Sequence, residues 1–144
     1  MKLRLVDRIL AVDDASIETE KAISFEEFSL LKPWGRKGAF PESLLLQVAV
    51  ESAALLVVHR TGRTSIAVLQ GVLSMRFEGE TRLGDVLRCR VVAEASGRTV
   101  FEMDTKRGRL ASGELRLREV DLERCFDTEA FALTWDALHA SPRP

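Results

Sequence analysis

Residues 40–59 read FPESLLLQVAVESAALLVVH and decide the fold. They predict one long helix, because Pro41 suits the first helical position, where its missing N–H leaves no bond unmade. Gly62 is the expected C-terminal stop. Apolar residues lie on every side of this helix, which is typical of burial in a core. Polar side chains there are costly unless they are hydrogen-bonded or serve a function, so Gln47 and Glu51 require an explanation.

The composition fits one soluble domain. A chain of 144 residues is long enough for a real core, and 21 Lys and Arg balance 22 Asp and Glu, so neither nucleic acid nor an acidic polymer is an expected partner. Cys89 and Cys125 have no metal-ligand spacing and form no disulfide framework. We expect no metal, no cofactor and a reducing cytoplasm. No signal peptide is visible, and an apolar run of about 18 residues fits a core helix better than a membrane span.

The elements around this helix predict an α+β fold. A β-hairpin is expected at residues 3–12 and 17–23, and four strand-like segments with turns between them follow at 64–77, 86–94, 99–106 and 110–120. A hairpin, one buried helix and a run of strands together favour a helix packed on one face of a curled antiparallel sheet.

The last residues differ in pattern from those before them. We expect a main domain at residues 1–121 and a C-terminal extension at 122–144, with a frayed end. A short helix is predicted at residues 128–138, capped by Asp127 or Thr128.

Several short motifs resemble those of the β-hydroxyacyl-(acyl carrier protein) dehydratases, which have the hot-dog fold. Residues 5–10, LVDRIL, resemble the family's opening L-V-D-R-V/I-L, and residues 40–47 are similar to its M-P-G-V-L-I-I-E helix start. Residues 75–77, MRF, and 83–87, LGDVL, resemble its K-x-R-F and P-G-D-x-L strands. The resemblance covers residues 3–120 and implies one long central helix wrapped by a curled antiparallel sheet.

The resemblance also implies a chemistry and a partner. In the family a histidine removes the α-proton of an acyl thioester, and an acid on the helix protonates the departing hydroxyl. A backbone N–H at the helix start polarises the thioester carbonyl, as helix N-termini are suited to do. The implied substrate is carried on acyl carrier protein or coenzyme A in fatty-acid or polyketide-type synthesis. A homodimer or higher oligomer is implied, because it covers an edge strand and a helix face.

This chain departs from the family at three positions. The family's histidine falls on Pro33, its helix acid on Gln47, and its helix-start glycine on Glu42, where a side chain now stands at the thioester's approach. No histidine precedes His59. Loss of both acid–base groups removes most of the ordinary rate, since each contributes about 10²–10⁴-fold.

Glu51 is the candidate replacement for the acid or base. It lies one turn after Gln47 and about 40° further round the helix, so Gln47 could orient a substrate carbonyl or a water beside it. The alternative is that Glu51 forms a salt bridge or hydrogen bond at the dimer interface. His59, near the helix end, is expected to bond the last carbonyls, and His139 lies in the tail.

The loop before the helix supplies further binding candidates. Lys32, Arg36 and Lys37 could contact a phosphopantetheine phosphate or an acidic carrier protein, and Trp34 could line an acyl tunnel. A solvated loop and a Trp34 that packs it down are the alternatives.

Three functions remain open from the sequence. The first is a dehydratase-like protein that binds acyl thioesters, with weak dehydration through Glu51 or none. The second is a non-catalytic subunit or acyl-binding partner of an active homologue that supplies the histidine. The third is a hot-dog thioesterase in which Glu51 activates water.

Overall fold

The computed structural model describes residues 5–23, 42–94 and 96–139. Helices and strands follow the predicted order. They are β1 Arg8–Val12, β2 Ser16–Ala22, α1 Glu42–Arg60, β3 Ser65–Phe77, β4 Val86–Ala93, β5 Arg98–Thr105, β6 Gly108–Asp121, α2 Leu122–Cys125 and α3 Thr128–Leu138.

The six strands form one antiparallel sheet in the order β1-β2-β4-β5-β6-β3, so β1 and β3 are its edges. Side chains alternate between the two faces. In β4, for example, Leu87, Cys89 and Val91 are buried beneath the helix, whereas Arg88 and Arg90 are exposed. Helix α1 packs on the buried face against β2, β3 and β4. The predicted α+β architecture is confirmed.

Helix α1 is fixed over the sheet by apolar packing and by polar contacts, of which the one at Ser52 is buried. The Ser52 hydroxyl donates to the Val48 carbonyl at 2.8 Å, and its oxygen lies 2.8 Å from Thr19 Oγ1 on β2. Because the single hydroxyl proton of Ser52 is already donated, Thr19 is the donor to Ser52. Both side chains are buried, and their polar atoms find hydrogen-bond partners in each other and in the helix backbone.

The helix ends where the sequence predicts. Gly62 has a φ of 63°, the left-handed conformation that glycine adopts at low cost. Its N–H donates to the His59 carbonyl, and the Arg63 N–H donates to the Val58 carbonyl. These two bonds form a Schellman motif, which satisfies carbonyls that the last turn would leave without partners.

Helix α1 is long and apolar enough to cross a membrane by length and composition alone. However, 56% of its most apolar 18-residue window is buried within the structure. Core helices of soluble proteins meet the same criteria, and residues 52–58 of this helix are all buried within the fold.

The C-terminal helix contributes to the core. Asp127 caps α3 by accepting from the N–H groups of Glu129 and Ala130, as the sequence predicts. Phe131, Trp135 and Leu138 of α3 belong to the main hydrophobic cluster, and α3 contacts the edge strand β1. The division of the chain at residue 121 stays a prediction.

Candidate functional site

The first two turns of α1 are open to solvent on one side. Glu42, Ser43 and Gln47 are exposed, while Leu45 and Val48 are buried against the sheet. The expectation that Gln47 is a buried polar residue is therefore wrong, because it lies on the helix face that points away from the sheet. Helix N-termini in general carry N–H groups without intrahelical partners and the positive end of the helix dipole, which suits them to polarise a carbonyl.

Glu51, one turn further along, makes its hydrogen bonds within the chain. Its Oε2 accepts from the Leu5 N–H at 3.2 Å and its Oε1 from the Val6 N–H at 3.1 Å. Glu51 is half-buried, and both donor residues are 0% exposed. Hydrogen bonding was one of the two expectations for Glu51, and both of these partners are backbone groups of its own chain. Its place at a dimer interface stays a prediction. Its role as acid or base stays a prediction.

An ion pair between a buried lysine and a partly exposed aspartate continues from this contact. Asp7 Oδ2 accepts from the Ala22 N–H at 2.7 Å, and Lys21 Nζ lies 3.9 Å from Asp7 Oδ1. The Lys21 side chain is only 3% exposed, so its charge requires a partner of this kind. Sequence reasoning missed this pair. The signal was the alternation of β2, which puts Lys21 on the same buried face as Ile17 and Thr19.

Both histidines of the chain lie at the other end of α1. His59 is twelve residues after Gln47, about 18 Å along the helix. Its ring stacks on Trp135 with centroids 6.5 Å apart, and its Nε2 lies 3.8 Å from Asp14 Oδ1. His139 packs on the same indole at 4.6 Å. The chain therefore places no histidine of its own beside Gln47.

The Gly84–Asp85 motif has a structural role. The Asp85 carboxylate accepts two bonds from the Arg107 guanidinium, at 2.5 and 2.6 Å, and one from the Arg82 N–H. The hydrogen bonds from Arg107 lower the pKa of Asp85 despite partial burial. This pair ties the segment before β4 to the turn between β5 and β6.

The sequence also drew attention to the loop before the helix, the cysteines and possible metal ligands. Lys32, Trp34, Arg36 and Lys37 lie outside the described residues, so their roles stay predictions. Burial raises the pKa of the Cys89 thiol to about 12, which leaves it a neutral core residue at physiological pH. Among the described residues, no group of three or more His, Cys, Asp and Glu side chains could hold a metal ion.

The two edges of the sheet differ in their surroundings. Helix α3 lies beside β1, whereas β3 exposes a set of apolar side chains, each between 38% and 46% accessible: Leu69, Val72, Leu73 and Phe77. An edge strand with unpaired backbone groups and apolar side chains is suited to pairing with another chain.

Comparisons with known proteins extend this description. No protein-family model matches the chain. Its sequence is 30% identical over 87 residues to the 3-hydroxyacyl-[acyl-carrier-protein] dehydratase FabZ of Pseudothermotoga lettingae, an alignment that covers 60% of this chain and 61% of the relative. The chain thus matches about three fifths of the length of that curated protein.

Solved structures match over most of their length. A hot-dog-like protein from Thermanaerovibrio acidaminovorans has a TM-score of 0.60 at 14% identity, covering 88% of this chain and 92% of its own. A hypothetical thioesterase with coenzyme A from Streptococcus pneumoniae TIGR4 has 0.61 at 13%, covering 79% and 85%. The dehydratase heterocomplex ApeI:P from Xenorhabdus doucetiae has 0.62 at 10%, covering 81% and 98%. The chain therefore has the hot-dog fold, and its sequence resembles the 3-hydroxyacyl-(acyl carrier protein) dehydratases.

Proposed function

We propose that this protein binds acyl thioesters, carried on acyl carrier protein or coenzyme A, at the N-terminus of α1. The observation that carries the proposal is the exposed helix start at Glu42, Ser43 and Gln47, which offers backbone donors to a thioester carbonyl. The similarity to a dehydratase of acyl-carrier-protein substrates and the coenzyme A in one structural neighbour support this class of ligand. The protein then acts in fatty-acid or polyketide-type synthesis, in the cytoplasm.

Each site residue has a proposed role. The N–H groups of the first turn polarise the carbonyl, and the Gln47 amide orients the acyl group from the position of the family's acid. The Glu42 side chain stands at the approach to the helix start and narrows the space through which the thioester enters. Lys32, Arg36 and Lys37 are proposed to contact the carrier's phosphate or acidic surface, and Trp34 to line the acyl chain.

We propose that the protein forms a homodimer through β3. The apolar side chains Leu69, Val72, Leu73 and Phe77 support this, and Arg76 is the only charged residue in the strand. Antiparallel pairing of β3 with a second copy would bury these residues without placing like charges opposite each other.

Ordinary dehydration is not the activity that the geometry favours. An amide at position 47 cannot protonate a departing hydroxyl, and both histidines are held against Trp135 at the far end of α1. Two identical subunits would each lack the pair. The proposal is therefore thioester binding by a dehydratase-like protein.

A second candidate follows from the same observation. We propose as the alternative that the chain is a non-catalytic subunit whose partner, an active homologue, supplies the histidine across the β3 edge. The dehydratase heterocomplex among the structural neighbours supports this arrangement.

The test compares dehydration and hydrolysis in one experiment. Purified wild type and Glu51→Gln are given 3-hydroxyacyl-coenzyme A and acyl-coenzyme A of several chain lengths. Binding by calorimetry, enoyl product and free thiol are followed separately. We expect saturable binding with neither product at appreciable rate, and enoyl product once a histidine-bearing homologue co-assembles. Thiol release that Glu51→Gln abolishes would instead identify a thioesterase, and no binding of any thioester would refute the proposal.

A further inference from the structure

Glu51 accepts hydrogen bonds from two successive backbone N–H groups of the chain's first described residues. Leu5 and Val6 precede β1, so the strand ladder does not provide for their N–H groups. Both residues are 0% exposed, and buried backbone donors need acceptors. The two oxygens of one side chain, from a residue more than forty positions away, accept both bonds. Glu51 thus does for this segment what a neighbouring strand would otherwise do.

On its other side the segment is held to the end of β2 by two hydrogen bonds and an ion pair. The Asp7 N–H donates to the Glu20 carbonyl at 2.9 Å, its side chain accepts from the Ala22 N–H, and Lys21 faces its carboxylate. Residues 5–7 are therefore fixed between α1 on one side and the end of β2 on the other.

The position of this contact matters for the site. Glu51 lies one turn, about 6 Å, after Gln47 along α1 and about 40° round from it. The segment that Glu51 holds consequently lies beside the helix turn that follows the proposed thioester site. A carboxylate whose two oxygens both accept backbone donors is also poorly placed to exchange a proton with a substrate.

From this geometry we infer that Glu51 is a positioning residue, which holds residues 5–7 as a wall beside the thioester site and exchanges no proton in the reaction. The inference rests on the proposed function for the location of the site, whereas the hold on Leu5 and Val6 is independent of it.

The experiment measures amide hydrogen exchange and ligand affinity in the same variants of the full chain. Glu51→Gln keeps one acceptor oxygen and nearly the same shape, Glu51→Ala removes both acceptors, and Glu123→Gln changes an exposed glutamate of α2 as the matched control. The ligand probe is hexanoyl-coenzyme A, with dissociation constants from calorimetry.

Positioning predicts a graded result. Exchange at Leu5 and Val6 should rise at least tenfold for both amides in Glu51→Ala, and for one of the two in Glu51→Gln, because a carboxamide nitrogen cannot accept. Affinity for hexanoyl-coenzyme A should fall several-fold in the same order. Glu123→Gln should match wild type. Any turnover seen with a homologue present should show a raised KM, with kcat and its pH profile unchanged.

Two results would overturn the inference. One is unchanged exchange at Leu5 and Val6 in Glu51→Gln. The other is a loss of kcat, with an altered pH profile, in a Glu51→Gln variant that keeps both amides protected, which would identify an acid or base. If wild type binds no thioester, the proposed function fails, while the exchange result still decides whether Glu51 holds the segment.

Discussion

Gly113 allows β3 to approach β6 closely, and replacing it should loosen the edge of the sheet that we propose for dimerisation. A Cβ at this position would lie 2.4 Å from the Ser74 carbonyl oxygen and 2.9 Å from Cε1 of Phe101, which is fully buried. The pairing of β3 and β6 shifts register between Val72 and Ser74, next to this contact. The strand backbone and a packed aromatic ring must both move to admit a methyl group.

The expected cost follows from the kind of atoms involved. Overpacking a core commonly costs about 1–3 kcal/mol, and backbone gives way less easily than a side chain, so Gly113→Ala should fall near the upper end of that range. For a domain of this size that corresponds to roughly 6–12 °C in Tm. Gly71, on the same pair of strands, has nothing within 4 Å of its would-be Cβ, which makes it the matched control.

Thermal and urea unfolding of the two variants provide the measurement. Gly71→Ala should lie within about 0.5 kcal/mol of wild type, or slightly above it in stability. Gly113→Ala should be less stable by about 2 kcal/mol or more, from the overpacking estimate above. Equal stabilities for the two variants would refute the close-approach argument, because both lose the same glycine flexibility in the unfolded chain.

Three further predictions use other contacts. Asp85→Asn should lower stability at pH 7 by about 1 kcal/mol. Arg107 lowers the folded-state pKa of Asp85. The stability advantage of wild type over Asp85→Asn should therefore be present above the unfolded pKa of about 4 and disappear as pH falls through the folded value. A stability advantage that persists at pH 2 would contradict this. Gly62→Ala should cost about 1 kcal/mol in urea unfolding because its φ is positive, and a neutral result would show that the Schellman turn tolerates a side chain. Val72→Glu should convert the dimer to monomer in light scattering, whereas Leu133→Glu, at an even more exposed position, should not; dimers in both variants would exclude β3 as the interface.

The fold was largely predictable because its signals are local. The apolar helix, its stop at Gly62 and the alternating strands each depend on residues near in sequence. The N-cap at Asp127 was predictable for the same reason. The burial of α3 in the core was less so, since Phe131, Trp135 and Leu138 show an apolar stripe without showing what it covers.

The site was harder to predict because its contacts are distant in sequence. The sequence predicts a helix buried on all sides, and residues 52–58 are indeed all buried. The first two turns differ, because Gln47 there is exposed. The bonds from Leu5 and Val6 to Glu51 span more than forty residues, and no local pattern indicates them. Similarly, nothing in the sequence shows that His59 and His139 meet at one indole, which removes both from the helix start.

The central claim is that an acyl thioester binds at the N-terminus of α1. A titration of the isotope-labelled protein with 3-hydroxyhexanoyl-coenzyme A, followed by amide chemical shifts, tests it most directly. The account predicts saturable shifts concentrated at residues 42–47, with residues 54–60 at the other end of the helix little affected. Absence of saturable shifts, or shifts confined to the end that carries His59, would contradict it.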